Sequence, residues 1–229
     1  GREESRGGRF LDRRDYCKLH IIAHYVQELL GAGFETIPIG KVGDDEIGAK
    51  LVAEMSEVGM NMRYVRCSAG DQTLNSFCFL YPDGSSGNLT TEDSASSRVD
   101  AALVREAEPE FVRFAGRGIA VAAPEVPLAA REAVLELGTR NRFLRVASFT
   151  SEEMLAAVDS GMLERVDLLG MNIDEAGAAA GVHAVGRELG VRVVEAAVER
   201  VRRANARLVV TVTAGERGSW CWDGSSLAH

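Results

Sequence analysis

A glycine-containing turn near the end of the chain is the segment best suited to bind an anion. The apolar run 207–213 ends at Thr213 and leads directly into this turn, which contains Gly215 and Gly218. Glycine lets backbone N–H groups approach a bound anion closely, so the segment predicts a phosphate site. The same two glycines also suit an ordinary hairpin turn between two strands.

A second polar segment follows another apolar run. Residues 166–171 have the pattern of a buried strand, and Asn172 and Glu175 come directly after it. Open α/β sheets bind ligands at the carboxyl ends of their strands, so the two segments together predict one nucleotide cleft. Taken alone, Asn172 and Glu175 would form a capping box at the start of a helix.

Two further pairs of polar residues have both a chemical and a structural interpretation. His20 and His24 are four residues apart on one helix face and could ligate a metal, but the third ligand of a zinc site is not evident in the sequence. Asp44 and Asp45 suit acid–base chemistry, yet aspartate in this position more often caps the following helix. We expect a helix-face or substrate-pocket role for the histidines and a capping role for the aspartates.

The composition of the 229 residues excludes several classes of function. Hydrophobic residues make up 46% of the chain, which is enough to bury a substantial core. The formal net charge of -8 repels nucleic acid and anionic lipid, and no lysine-rich run offsets it. The four cysteines include no Cys-x-x-Cys pair, which argues against a zinc site and a disulfide framework. Without a long apolar run, we expect a cytoplasmic protein with no nucleic-acid or membrane partner.

Hydrophobic periodicity predicts the elements that hold these segments. Helices are expected over 15–30 and 45–58 with a short strand at 36–39 between them, followed by a small antiparallel sheet of strands at 62–66, 74–81 and 88–91. Strands and helices then alternate from residue 118 onward, with Ser151 as the cap of one helix. Such alternation predicts right-handed βαβ units and a parallel sheet.

The order of these features resembles that of the ribokinase-like (PfkB) carbohydrate kinase family. The residues that carry the resemblance are the glycine-rich segment 40–48, Thr73, Pro82-Asp83-Gly84, Asn172-x-x-Glu175 and Thr213-x-Gly215-x-x-Gly218. The resemblance implies an α/β fold, a three-layer αβα sandwich with a mostly parallel central sheet and a small β-sheet lid. The core would comprise residues 1–60 and 92–229, and the lid residues 61–91.

The resemblance also implies a transferase activity, the ATP- and Mg²⁺-dependent phosphorylation of a hydroxyl group of a sugar, nucleoside or related small alcohol. Asn172 and Glu175 would then organise the phosphate and magnesium region, with Glu175 nearest the metal. The nucleotide would be lined by Thr213, Gly215 and Gly218, and the substrate by Glu125, His24, Gly43 and Asp44. Family members often pair through the lid, which implies a homodimer with the strand at 74–81 as its seam.

The sequence departs from the family pattern toward both ends. The glycine pair and asparagine that hold the sugar in the family fall near Leu19, His20 and His24, where nothing matches. The Gly-Ala-Gly-Asp motif with the catalytic aspartate does not occur before His229, so we expect that aspartate beyond this residue and an inactive isolated fragment. The alternative is a non-catalytic regulatory protein of the same fold that binds a sugar or nucleotide. An oxidoreductase ranks last, because no Gly-x-Gly-x-x-Gly motif opens a helix after an early strand.

Overall fold

The computed structural model describes residues 18–82, 86–182 and 190–229. These residues form two compact units, one ending at Ser97 and the other beginning at Arg98. Across the described ranges, every helix is too short or too polar to cross a membrane.

The first unit combines two helices with two separate strand pairs. Its elements are α1 (Lys18–Leu30), β1 (Ile39–Gly43), α2 (Glu46–Glu57), β2 (Tyr64–Ser68), β3 (Ser76–Leu80) and β4 (Ser86–Thr90). β1 and β2 pair in parallel, with Ile39 opposite Tyr64. A small core packs the helices against this pair, formed by Ala23, Val42, Leu51, Met55 and Met60.

Two strand predictions in this unit are wrong in detail. The strand predicted at 36–39 begins at Ile39, because Pro38 lacks the N–H group that strand pairing requires. The strand predicted at 62–66 pairs in parallel with β1 instead of joining an antiparallel sheet. The antiparallel prediction is confirmed for β3 and β4, which form a hairpin with Phe77 opposite Leu89. The turn predicted between them at 82–84 lies largely outside the described residues.

The second unit is built around one six-stranded sheet. Its elements are α3 (Ala101–Glu106), α4 (Glu108–Arg113), β5 (Ile119–Ala122), α5 (Leu128–Arg140), β6 (Leu144–Ala147), α6 (Ser151–Asp159), β7 (Leu168–Asn172), α7 (Ile173–Ala180), α8 (Gly190–Ala204), β8 (Val209–Thr213), β9 (Ser219–Trp222) and β10 (Leu227–Ala228). The strand order is β10-β9-β8-β7-β6-β5. β5 to β8 are parallel, and β9 and β10 add antiparallel pairs. The predicted parallel sheet is therefore confirmed.

The core of this unit lies between the sheet and its helices. Buried side chains from the strands and from α5 to α8 form one cluster, which includes Leu135, Met154, Leu169, Val194 and Val210. Trp220 on β9 belongs to the same cluster and is 9% exposed. This tryptophan therefore contributes to the core of the second unit.

A buried arginine fixes the connection between β6 and α6. Thr150, and not Ser151 as predicted, caps α6, because the Thr150 hydroxyl accepts the Glu153 N–H at 3.3 Å and the Glu153 carboxylate accepts the Thr150 N–H at 3.0 Å. The Glu153 carboxylate also pairs with Arg131, which is 1% exposed and donates to the Ser148 carbonyl at 3.2 Å. Arg131 thereby ties α5 to the loop at the carboxyl end of β6.

We predict that Arg131→Met lowers the free energy of unfolding by about 3 kcal/mol, because the Glu153 carboxylate and the Ser148 carbonyl lose their buried partner. Urea unfolding of the chain measures this loss. The matched control is Arg165→Met, because Arg165 pairs with Glu132 at 3.4 Å while the two side chains are 38% and 41% exposed. The control should cost less than about 1 kcal/mol. Equal losses in the two variants would contradict the role assigned to Arg131.

Candidate functional site

The two polar segments meet at the carboxyl edge of the six-stranded sheet. β7 ends at Asn172 and β8 ends at Thr213, and these two residues lie opposite each other in the parallel pairing. The loops that follow the two strands therefore start side by side. The structure brings together the Asn172 segment and the turn at Gly215, and nucleotide binding there stays a prediction.

Asn172 is both a helix cap and an exposed donor. Its Oδ1 accepts the N–H groups of Asp174 and Glu175 at 2.9 and 2.8 Å, and Glu175 Oε2 accepts the Asn172 N–H at 2.8 Å. The capping box is thus present, as the structural interpretation of the sequence proposed. The Asn172 Nδ2 group donates to no residue within the described part of the chain. Because Asn172 is exposed, this group can donate to a phosphate oxygen.

The turn after Thr213 also fits both interpretations of its glycines. It joins β8 to β9 as a hairpin, and Gly215 and Gly218 have φ values of 56° and 79°, which glycine adopts without strain. The Gly218 N–H donates to the Gly215 carbonyl at 3.0 Å, so Gly218 shapes the turn. The N–H groups of Gly215 and Glu216 open a short 3-10 helix and have no partner within it. Residue type gives no sign of these two donors at Gly215 and Glu216, because they belong to the backbone.

Glu125 follows β5 at the same edge of the sheet and has an unusual backbone. Its φ is 77°, in the region that glycine favours. Within the described chain Arg142 is the other non-glycine residue with positive φ, at 57°, and it follows the carboxyl end of α5, where such a conformation is common. Glu125 does not follow a helix. Strained backbone of this kind clusters at functional sites, which supports a role for Glu125 in binding.

Gly43 and Asp44 lie at the end of β1 in the first unit. The Gly43 N–H donates to Thr73 Oγ1 at 2.9 Å, and Asp44 is exposed. The neighbouring Asp45 caps α2, which confirms the structural interpretation of this pair. Burial would raise the pKa of Asp45, but hydrogen bonds from Thr73 and Gly48 outweigh that effect and hold the pKa below its usual value. The carboxylate engaged by the fold is therefore Asp45.

His20 and His24 contact each other on α1, with ring centroids 5.7 Å apart. His20 is 5% exposed, and its pKa is lowered by burial and by His24, against a smaller opposite effect of Glu54. In the ranges that the structure describes, no group of three His, Cys, Asp or Glu residues could hold a metal ion. The assignment of His24 to substrate binding stays a prediction.

Comparisons with known proteins agree with this architecture. The ribokinase from Giardia lamblia superposes with a TM-score of 0.69 and 20% identity, covering 85% of this chain and 59% of that one. The Arabidopsis thaliana ribokinase complexed with ribose and ATP gives 0.64 and 18%, covering 92% and 64%. The ribokinase from Cryptococcus neoformans var. grubii serotype A in complex with ADP gives 0.68 and 14%, covering 90% and 65%. None of the curated proteins matches this chain in sequence.

This chain therefore spans less than two thirds of the length of these three ribokinases. The structural similarity shows a ribokinase-like α/β fold with a mostly parallel central sheet, as predicted. The family identity comes from the sequence, because the profile described as pfkB family carbohydrate kinase matches residues 22–229. The chain belongs to the pfkB family of carbohydrate kinases.

Proposed function

We propose that this chain binds ATP and a small alcohol as part of a kinase that phosphorylates a hydroxyl group of a sugar, nucleoside or related compound. The observation that carries the proposal is the pairing of Asn172 with Thr213, which sets an exposed amide donor beside the turn at Gly215. Membership of the pfkB family supports a carbohydrate kinase. The ATP and ADP complexes of the Arabidopsis and Cryptococcus ribokinases support nucleotide binding.

The phosphate groups would be bound by neutral donors. Asn172 Nδ2 and the N–H groups of Gly215 and Glu216 lie in loops that begin at the same edge of the sheet. The exposed Thr213 hydroxyl adds a polar group at the end of β8, where it would line the nucleotide with Gly218. Phosphoryl transfer depends mainly on positioning and charge stabilisation, which such fixed dipoles supply.

Magnesium fits this edge through Glu175. Mg²⁺ in proteins takes oxygen ligands and usually keeps several waters, so one or two carboxylates together with the substrate phosphates suffice to hold it. The Glu175 carboxylate is 8% exposed and is oriented by the Asn172 N–H at 2.8 Å. A carboxylate fixed in this way would bind a metal-coordinated water. The bound ion would supply positive charge to the phosphate oxygens.

The first test is titration calorimetry of the chain with ATP and Mg²⁺. Asn172→Asp keeps a capping oxygen but replaces the Nδ2 donor with negative charge, so binding should weaken about 100-fold. Asn172→Ser keeps a capping oxygen and removes the Nδ2 donor without adding a negative charge, so binding of ATP should weaken about tenfold. The matched control is Asn141→Ser, because Asn141 Nδ2 donates to the Leu137 carbonyl at the end of α5. The control should bind ATP like the parent chain.

Unchanged ATP binding in both Asn172 variants would contradict the proposed phosphate site. ADP release by the full-length protein with a panel of sugars and nucleosides separates the kinase from the non-catalytic alternative. A protein that binds ATP and a sugar without releasing ADP would be a regulatory binder. The inactivity of the 229 residues alone and the cytoplasmic location stay predictions.

We propose that Glu125 binds the substrate from a strained backbone conformation, which lowers the stability of the chain. Glu125→Gly should raise the free energy of unfolding by about 1 kcal/mol, because glycine adopts positive φ freely. Arg142→Gly is the matched control, since it relieves the same kind of strain outside the predicted site. Both variants should be stabilised in urea unfolding. The Glu125 variant alone should lose about tenfold or more in sugar affinity, measured with ribose and the panel above.

Equal sugar affinity in the Glu125 and Arg142 variants would show that Glu125 does not bind the sugar.

His24, Gly43 and Asp44 are proposed as further substrate residues on the strength of the family resemblance. The structure adds one observation on these three residues, which is the hydrogen bond from the Gly43 N–H to the Thr73 hydroxyl.

We also propose that the β3–β4 hairpin is the main part of the lid at residues 61–91 and pairs two copies of the chain. Phe77 and Phe79 lie on one face of β3, 46% and 50% exposed, and Leu89 opposite Phe77 is 62% exposed. A two-stranded hairpin is marginally stable in water, and exposed apolar side chains of this kind favour association. Burial of this face against a second copy would relieve both effects.

Phe79→Asp should convert the dimer to a monomer, because the dimer would have to bury a charge without a partner. Sedimentation velocity of the chain measures the change. Val112→Asp is the matched control, since Val112 is 60% exposed but lies on α4 in the second unit. A parent chain that sediments as a monomer at every concentration would end the dimer proposal.

A further inference from the structure

A close-packed cluster around the Asp45 carboxylate joins three segments of the first unit. Asp45 Oδ1 accepts the Thr73 hydroxyl at 2.6 Å and the Gly48 N–H at 2.8 Å, and Asp45 Oδ2 accepts the Thr73 N–H at 2.7 Å. The Thr73 hydroxyl in turn accepts the Gly43 N–H at 2.9 Å. The Asp45 carboxylate therefore joins the start of α2 to the segment before β3, and the Thr73 hydroxyl links both to the end of β1.

The packing around this cluster leaves no room for side chains at its two glycines. A Cβ atom on Gly43 would lie 2.3 Å from the Asp71 carbonyl oxygen, and one on Gly48 would lie 2.6 Å from the Gly43 carbonyl oxygen. Backbone atoms cannot move aside cheaply at such distances. Thr73 is 4% exposed, so its hydrogen bonds with Asp45 and Gly43 are also shielded from water.

This cluster adjoins the base of the β3–β4 hairpin. Thr73 is separated from β3 by two residues, and the Ala95 N–H after β4 donates back to the Gln72 carbonyl at 2.8 Å. Closer to the hairpin, the Thr91 N–H donates to the Asn75 carbonyl at 3.0 Å. Four of the five residues of β3 are exposed, so this strand makes few contacts that could hold the hairpin elsewhere.

We propose that Asp45, through its hydrogen bonds to Thr73, is a positioning residue that fixes the base of the β3–β4 hairpin and the backbone of Gly43 and Asp44 for sugar binding. This inference rests on the proposed kinase function. Asp45 does not contact the sugar and acts through the segments that it holds together. The carboxylate suits this task, because it accepts three donors at once and its hydrogen bonds keep its pKa low.

Hydrogen exchange of the chain tests the structural half of the inference. Thr73→Val removes the hydroxyl while keeping the shape, and amides of β3 and β4 should then exchange about tenfold faster or more. Thr73→Ser restores the hydroxyl and should restore the protection. Asp45→Asn should act like Thr73→Val, because its NH₂ group cannot accept the Thr73 N–H. The matched control is Asp100→Asn, because Asp100 caps α3 by accepting the Leu103 N–H at 2.8 Å.

Sugar kinetics of the full-length protein test the functional half. Thr73→Val should raise the KM for the sugar about tenfold with a smaller change in kcat, while Thr73→Ser and Asp100→Asn stay near the parent values. ATP affinity should stay unchanged in all variants. If no sugar is phosphorylated, the proposed function has failed, and the exchange experiment still decides the role of Asp45.

Three results would overturn the inference. The first is parent-like exchange of the hairpin in Thr73→Val, and the second is a failure of Thr73→Ser to restore protection. The third is an equal rise in exchange across β1, α2 and the hairpin, which would mean general destabilisation of the unit.

Discussion

The candidate site depends on the register between β7 and β8. This register is fixed by alternating core side chains, because Leu169 and Met171 on β7 and Val210 and Val212 on β8 are all less than 5% exposed. A slip by one residue would turn these side chains out of the core. A slip by two residues would move Asn172 about 6.6 Å along the strand, away from the turn at Gly215. Packing in the core thus sets the distance between two loops that lie outside it.

The fold was largely predictable from the sequence, because the second unit alternates long apolar runs with helical patterns. The errors in strand prediction fell in the first unit, where the strands are short and the partner of a strand is set by tertiary packing. The residues at 62–66 have the same alternation whether they pair with β1 or with β3, so periodicity cannot distinguish the two. Pro38 did carry a local signal, since it lacks the donor that a paired strand needs.

The positions of the candidate segments in the chain were predictable from the sequence, but the hydrogen bonds and backbone angles of their residues were less so. The structural and functional interpretations of Asn172 and of the turn at Gly215 proved compatible, because a cap uses the oxygen of the amide and leaves its nitrogen exposed. The choice between Asp44 and Asp45 required tertiary contacts with Thr73, which is 28 residues from Asp45. The positive φ of Glu125 is a property of the folded backbone, and its residue type gives no sign of it.

Paramagnetic broadening of backbone amide signals, recorded when the chain binds ATP with Mn²⁺ in place of Mg²⁺, locates the bound triphosphate on the sheet. A triphosphate at the shared edge of β7 and β8 should broaden the signals of Asn172, Gly215 and Glu216 most strongly. Signals at the opposite edge of the same sheet, such as that of Asn141, should stay sharp. Broadening centred away from Asn172 and Gly215, or none with ATP in excess, would mean that the loops after β7 and β8 do not bind the triphosphate.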